Sequence, residues 1–178
     1  MSRAGGTKSA GQQAKKNIIE AARQFFSEYG YLGVSMSDIA SRLNMTKAAL
    51  YYHFTGKNEI FKTVLDEAFT ELNQALTEAK NEKTAERKLE GLIKAYFQFG
   101  AREKNLTKAL VLKHAPNGTK ITEHIAELRT KLINLIQPVV EEVLAGKKIV
   151  KQVDGHTYTL LLIGMMDGLL LEYSLFKR

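Results

Sequence analysis

The chain has no cysteine, no tryptophan and only two prolines in 178 residues. Without cysteine there is no disulfide, no thiolate metal site and no thiol nucleophile, which suits a reducing, cytoplasmic setting. Proline is confined to Pro116 and Pro138, so most of the chain is free to be helical. Long apolar runs are missing too. Leu160-Leu161-Leu162-Ile163-Gly164-Met165-Met166 is stopped by Asp167 and is too short to span a bilayer, so a buried helix is expected and no membrane partner. The segment Met1 to Lys15 is polar and glycine-rich, unlike a signal peptide. Strand signals, long heptad seams and internal repeats are absent. The fold class expected is all-α.

Acidic residues are scarce in one place only. Residues 1–57 hold 8 Lys+Arg against 3 Asp+Glu, whereas residues 58–178 hold 18 against 16. A basic first third on a nearly balanced remainder is the footprint of a nucleic-acid-binding part joined to a part that binds something else.

What is present in that basic third is a patterned stretch from Ser35 to Phe54. Ser35 can cap a helix, and Asp38 three residues later completes a variant of the capping box. Ile39, Ala40 and Leu43 fall on one side of that helix, Ala40 being small enough for close approach. Asn44 sits at the turn, where a left-handed backbone is often needed. Thr46 can cap a second helix whose Leu50 and Phe54 point back toward Ile39 and Leu43. The outer face then pairs Lys47 with Tyr51, Ala48 with Tyr52 and Ala49 with His53. This is the pattern of a helix-turn-helix whose second helix enters a DNA groove. Lys47 can reach a phosphate or a guanine edge, and Ala48 and Ala49 let the helix sit deep against thymine methyls. Tyr51, Tyr52 and His53 suit sugar-phosphate contacts. The opposing interpretation, a plain helical hairpin with half-buried tyrosines, is common among all-α proteins.

The flanks extend the pattern. Ile18, Ala21, Ala22, Phe26, Gly30 and Tyr31 precede it as I-x-x-A-A-x-x-x-F-x-x-x-G-Y. S-M-S-D-I-A, T-K-A-A-L-Y-Y-H-F and G-K-N-E-I follow in order. Residues 15–61 closely resemble the DNA-binding domain of the tetracycline-repressor (TetR) family of bacterial transcription regulators. One departure is Asn44-Met45-Thr46, where the family more often has Gly, Val and Ser. The resemblance implies that Lys57, at the start of a helix just past Gly56, holds a phosphate, as its position at that helix terminus also suggests. Ser35, Ser37, Tyr51, Tyr52, His53 and Lys57 are expected to hold phosphates, with Lys47, Ala48 and Ala49 nearest the bases.

Three regions are expected: a disordered basic arm at 1–13, a three-helix DNA-binding domain at 14–57, and a helical effector-binding and dimerisation domain at 58–178. The first helix is placed from about Gln13 to Tyr29, with Ile18, Ala22, Phe25, Phe26 and Tyr29 inward and Gly30 as its stop. Further helices are placed to about Lys80, over Ala85–Lys104, Leu106–His114 and Ile121–Leu144, and from His156 to Phe176. Pro138 should kink the Ile121–Leu144 segment or split it in two. The last helix is apolar nearly all round, so it must be buried on most sides, most simply against a second copy. The family resemblance implies a homodimer built on the last two long helices and a palindromic operator. It also implies a small-molecule cavity, for which Tyr96, Phe97, Phe99, His114, Met165, Met166 and Leu169 are candidates.

Other chemistry finds no support. There is no phosphate-binding glycine loop and no G-x-S-x-G elbow. His124 with Glu123 and Glu127 imitates a metal site but lacks further ligands, and a surface polar cluster is the better account. No catalytic residue, metal or cofactor is expected. The favoured function is a dimeric DNA-binding transcription regulator, a repressor released by a small apolar or amphipathic effector. The alternative is a helical adaptor or ligand carrier that does not bind DNA.

Overall fold

The computed structural model describes the backbone of residues 4–112, 119–145 and 153–176, with side chains described there except at 4–9, 109–112, 119 and 174–176. Its elements, among the described residues, are all helical: α1 (Ala4–Tyr29), α2 (Met36–Arg42), α3 (Lys47–His53), α4 (Lys57–Ala79), α5 (Ala85–Arg102), α6 (Lys104–Leu112), α7 (Thr119–Ala145) and α8 (Gly155–Phe176). The contacts divide the chain into two units, Met1–Glu67 and Ala68–Arg178.

The first unit is built round α1. Ile18, Ile19, Ala21, Ala22 and Phe26 are buried, while Tyr29, expected inside, is 55% exposed. Ile39 and Ala40 of α2, Leu50 of α3 and Phe54 close the core from the other side. Phe26, Tyr31 and Phe61 form an aromatic cluster, with the Phe26 and Phe61 rings edge-on at 5.0 Å and Tyr31 and Phe61 at 4.8 Å. Edge-on rings are favoured because the positive rim of one meets the negative face of the other. Ile60, Phe61 and Val64 are all buried, so the first turns of α4 belong to this unit. The first compact unit therefore runs into α4 as far as Glu67.

Two sequence expectations change. α1 starts at Ala4, so the segment read as a disordered arm is helical from residue 4 onward. Extending an existing helix adds a hydrogen bond per residue, whereas starting one is costly, so a helix nucleated at the buried Ile18 and Ile19 can run back through weak helix formers. α7 continues through Pro138 without a break. Pro138 and Asn134, whose carbonyl loses its donor, both lie on the exposed side, where water can take the bond.

The second unit packs α5, α7 and α8 against one another, with α6 on α8. Its core holds Leu72, Leu76, Leu92, Leu106, Ile125, Leu128, Ile136, Ile163 and Met166. At Gly100 the missing side chain admits Leu170, since a Cβ there would lie 2.4 Å from Leu170 Cδ1. No helix among the described residues is long and apolar enough to cross a membrane.

The turn between α2 and α3 rests on one backbone conformation. Asn44 has φ +51°, and the Met45 amide donates to Ala40 O at 2.9 Å. A left-handed conformation is strained for side chains branched at Cβ and tolerated by Asn. Asn44→Val should therefore lower stability by about 1–2 kcal/mol, and Asn44→Gly should change it by no more than a few tenths of that. Urea denaturation of the three proteins gives the ranking directly.

Candidate functional site

Short-range hydrogen bonds set the two motif helices. Ser35 Oγ accepts from the Asp38 amide at 3.2 Å, and Asp38 Oδ2 accepts from the Ser35 amide at 2.7 Å, a reciprocal capping box. Thr46 Oγ1 accepts from the Ala49 amide at 3.1 Å and caps α3. With Leu50 fully buried, the rest of α3 turns outward. Tyr52 is 86% exposed and Tyr51 51%, Lys47 and Ala48 are exposed, and Ala49 and His53 are half-buried. The Tyr52 and His53 rings meet edge-on at 5.2 Å. The tyrosines are thus surface residues, and the plain-hairpin account loses its main support.

Beside α3 lies an open groove of about 450 Å³, bounded by residues 32–38, Lys47, Tyr51 and Lys57. Lys57 has a second task here. Its Nζ donates to Val34 O at 2.8 Å and to Tyr31 O at 3.0 Å, and it sits 4.1 Å from the centre of the Tyr31 ring. The Tyr31 hydroxyl in turn donates to Asn58 Oδ1. Partial burial pulls the Lys57 ammonium below its ordinary pKa, and the nearby Asp38 carboxylate opposes that. An ammonium has three donors, so one is left for a ligand in the groove. Glu59 closes the same corner, its Oε2 accepting from the Thr55 amide at 2.6 Å and from its hydroxyl at 2.7 Å.

The second unit encloses a cavity lined by Phe69, Leu72, Tyr96, Phe99, Thr107, Leu128, Arg129, Leu132 and Leu170. About 20 Å³ of it is open to the centre of a water molecule, and the surrounding atom-free space of about 380 Å³ includes open solvent. The lining is almost wholly apolar. At its polar side Asp167, buried on α8, accepts from the Tyr96 hydroxyl and pairs with Arg129 Nη1 at 3.0 Å. Burial first, and then the Asp167 charge, push the Tyr96 phenol far above its usual range, so it stays a donor.

Residues 18–64 match the description "Bacterial regulatory proteins, tetR family". Over 122 residues, 66% of the chain, the sequence is 30% identical to the negative transcriptional regulator IcaR of the Staphylococcus epidermidis biofilm operon icaADBC. The chain belongs to the TetR family. It spans 64% of that curated relative's length. Among solved structures, a Clostridium perfringens protein assigned as a fatty acid metabolism regulator is 29% identical, with a TM-score of 0.69 over 91% of this chain and 88% of that one. Bacillus subtilis FadR, solved with stearoyl-CoA, shares the fold, with a TM-score of 0.75 at 22% identity over 89% of this chain and 86% of that one.

For a TetR-family chain the predicted residues fall in two groups. Ser35, Ser37, Lys47, Tyr51 and Lys57 all border the groove, and Ala48, Ala49, Tyr52 and His53 lie on the same short helix. Of the effector candidates, Tyr96 and Phe99 line the cavity. Phe97 is half-buried outside its lining, and Met166 is buried in the core. Met165 and Leu169 are 61% and 60% exposed on the opposite face of α8. His114 lies outside the described residues. Sequence reasoning missed Thr107, Arg129 and Asp167. A signal for Asp167 existed: a charge inside an apolar helix needs a partner. His124, weighed as a metal ligand, is buried with Nδ1 3.5 Å from Glu127 Oε2. Among the described residues no group of three or more His, Asp or Glu is placed to hold a metal ion.

The capping box makes a pH prediction. The Ser35 hydroxyl and then its amide hold the Asp38 carboxyl below the ordinary carboxylate range. A depressed folded pKa contributes stability that is complete above the unfolded value of about 3.9 and is lost as pH falls through the folded one. Carboxyl NMR titration should find the Asp38 midpoint below that value, and Ser35→Ala should move it back up. An unmoved midpoint in that variant would remove Ser35 as the cause.

Proposed function

We propose that this chain is a dimeric repressor that reads a palindromic operator and is released by a small apolar or amphipathic effector. The observation carrying it is the outward face of α3, with Lys47, Ala48, Tyr51 and Tyr52 exposed beside a groove that a phosphate backbone could follow. Lys47, Ala48 and Ala49 are assigned to base edges. Ser35, Ser37, Tyr51, Tyr52, His53 and the remaining donor of Lys57 are assigned to phosphates. The DNA-reading domain is taken as residues 14–57 and the effector and dimer domain as 58–178. The repressor sign is supported by the likeness to IcaR, a negative regulator. Its place of action is the cytoplasm, where its DNA is.

Dimerisation is supported by α8. Leu161, Met165, Leu169 and Tyr173 are exposed at helical spacing, with the small Gly164 and Gly168 between them. A contiguous apolar stripe of this kind usually marks an association surface. A second copy meeting it in twofold symmetry presents two α3 helices to two half-sites.

Operator selection from random DNA tests the reading. The selected site should be an inverted repeat, and affinity should fall steeply as salt rises, because bound lysines release counterions. Lys47→Ala should cost about 1–3 kcal/mol at the bases it meets and relax preference there. Lys57→Ala should weaken all sequences about equally, and should also loosen the 31–34 turn that it braces. Duplex binding that is absent, or indifferent to salt, leaves the adaptor as the better account.

The stripe has its own test. Leu169→Asp, on an exposed position, should convert dimer to monomer in sedimentation while leaving helix content unchanged. A monomeric unsubstituted protein at micromolar concentration would count against the dimer.

A further inference from the structure

Two spaces in the second unit share a wall. Thr107 and Leu170 line both the cavity described above and a second, shallower depression. That depression is edged by Lys104, Lys108 and Tyr173 and is small, with about 10 Å³ open to the centre of a water molecule. Lys104 and Lys108 are four apart on α6 and so lie on one side of it. Lys104 Nζ is 5.8 Å from the centre of the Tyr173 ring.

The shared wall carries an unmade hydrogen bond. Thr107 is 5% exposed, and its Oγ1 is buried with no hydrogen-bond partner. Thr63, Thr77, Thr130 and Thr159 each donate to the carbonyl four residues back. Thr107 has the same carbonyl in reach through Glu103, which takes its amide at 2.8 Å, yet its hydroxyl does not use it. A buried hydroxyl is costly to leave so, and such groups call for an account.

Charge separates the two spaces. Inside the cavity Arg129 is already paired with Asp167, and the Tyr96 hydroxyl donates to the same carboxylate. A further anion there would have to displace Asp167, leaving a buried charge unpaired. A neutral oxygen at Thr107 would disturb nothing. On the far side of the wall the two lysines favour an anion. Leu170 is the partition, resting on the bare backbone of Gly100. Turning its side chain to another rotamer would open a way between the two spaces.

We propose that the cavity takes the apolar chain of an anionic amphiphile, with a neutral oxygen at the end of the chain on Thr107 and the anionic head beyond Leu170 on Lys104 and Lys108. The proposal rests on reading the second unit as an effector domain, and it adds the ligand's class and orientation.

Calorimetry on the full chain with octyl phosphate, octanol and octyltrimethylammonium tests it. Octyl phosphate should bind roughly three- to tenfold tighter than octanol at low ionic strength, and the gap should narrow with salt. The cation should bind weakest. Lys104→Glu with Lys108→Glu should abolish the gap and leave octanol unchanged. Thr107→Val should weaken octanol and octyl phosphate alike by roughly two- to tenfold, and Thr107→Ser should restore both. Equal binding of phosphate and cation, an indifferent Thr107→Val, or no binding by any of the three overturns the proposal. DNA binding by the same preparation without amphiphile is measured alongside. Its failure would sink the regulator reading and leave the amphiphile result standing.

Discussion

A helix of seven residues cannot hold itself together in water, and α3 has seven. Fixing its first turn costs more than its few hydrogen bonds return. Its shape must therefore come from outside. Thr46 supplies the first bond, Leu50 and Phe54 anchor one side in the core of α1 and α2, and the left-handed Asn44 aims the entry. Each of these demands uses a residue that is then unavailable to a ligand. What remains facing outward is a narrow strip of Lys47, Ala48, Tyr51 and Tyr52. The same economy explains Lys57. Two of its three donors hold the carbonyls of Tyr31 and Val34, which fixes the turn leading to the Ser35 cap, so a cation at the groove's edge also sets the groove's wall.

In the second unit the equivalent constraint is the carboxylate of Asp167. A charge on the buried side of an otherwise apolar helix must be met, and it is met from two other helices, by Tyr96 of α5 and Arg129 of α7. A buried ion pair adds little net stability against an apolar alternative, because both charges must leave water. Its value is in register. Sliding or turning α8 by one residue would leave Asp167 without partners, whereas leucines and methionines would tolerate the shift. The cavity's polar side and the packing of three helices are thus one arrangement.

Legibility in the sequence followed the range of the interactions. The capping box of Ser35 and Asp38, the Thr46 cap and the turn at Asn44 act over three or four residues, and each was readable from spacing alone. The outward face of α3 followed from helical periodicity. Lys57 was placed at its helix start, but its carbonyl partners at Tyr31 and Val34 lie across a fold that spacing does not encode. The cavity was hardest. Its lining comes from several helices, and Thr107 and Arg129 carry no local mark. Periodicity points to Met165 and Leu169, whereas Leu170 lines the space. A helix apolar on all sides gives periodicity no phase, so one residue's error, about 100° of turn, changes the face. Two charges could supply the phase, the buried Asp167 for the inner side and the exposed Glu172 for the outer.

That phase gives α8 two distinct sides. Thr159, Ile163, Met166, Asp167 and Leu170 face the core, while Leu161, Met165, Leu169 and Tyr173 face outward. A single helix moves as a body when its side chains are packed. Any molecule that turns Leu170 aside or draws Arg129 from Asp167 acts on the inner side, and the outer stripe has to move with it. The outer stripe is where a second copy is proposed to sit. Coupling between cavity and dimer then needs no chain of intermediaries. It needs a helix whose rotation is set by one carboxylate and whose outer face is plain enough to accept a small change in angle.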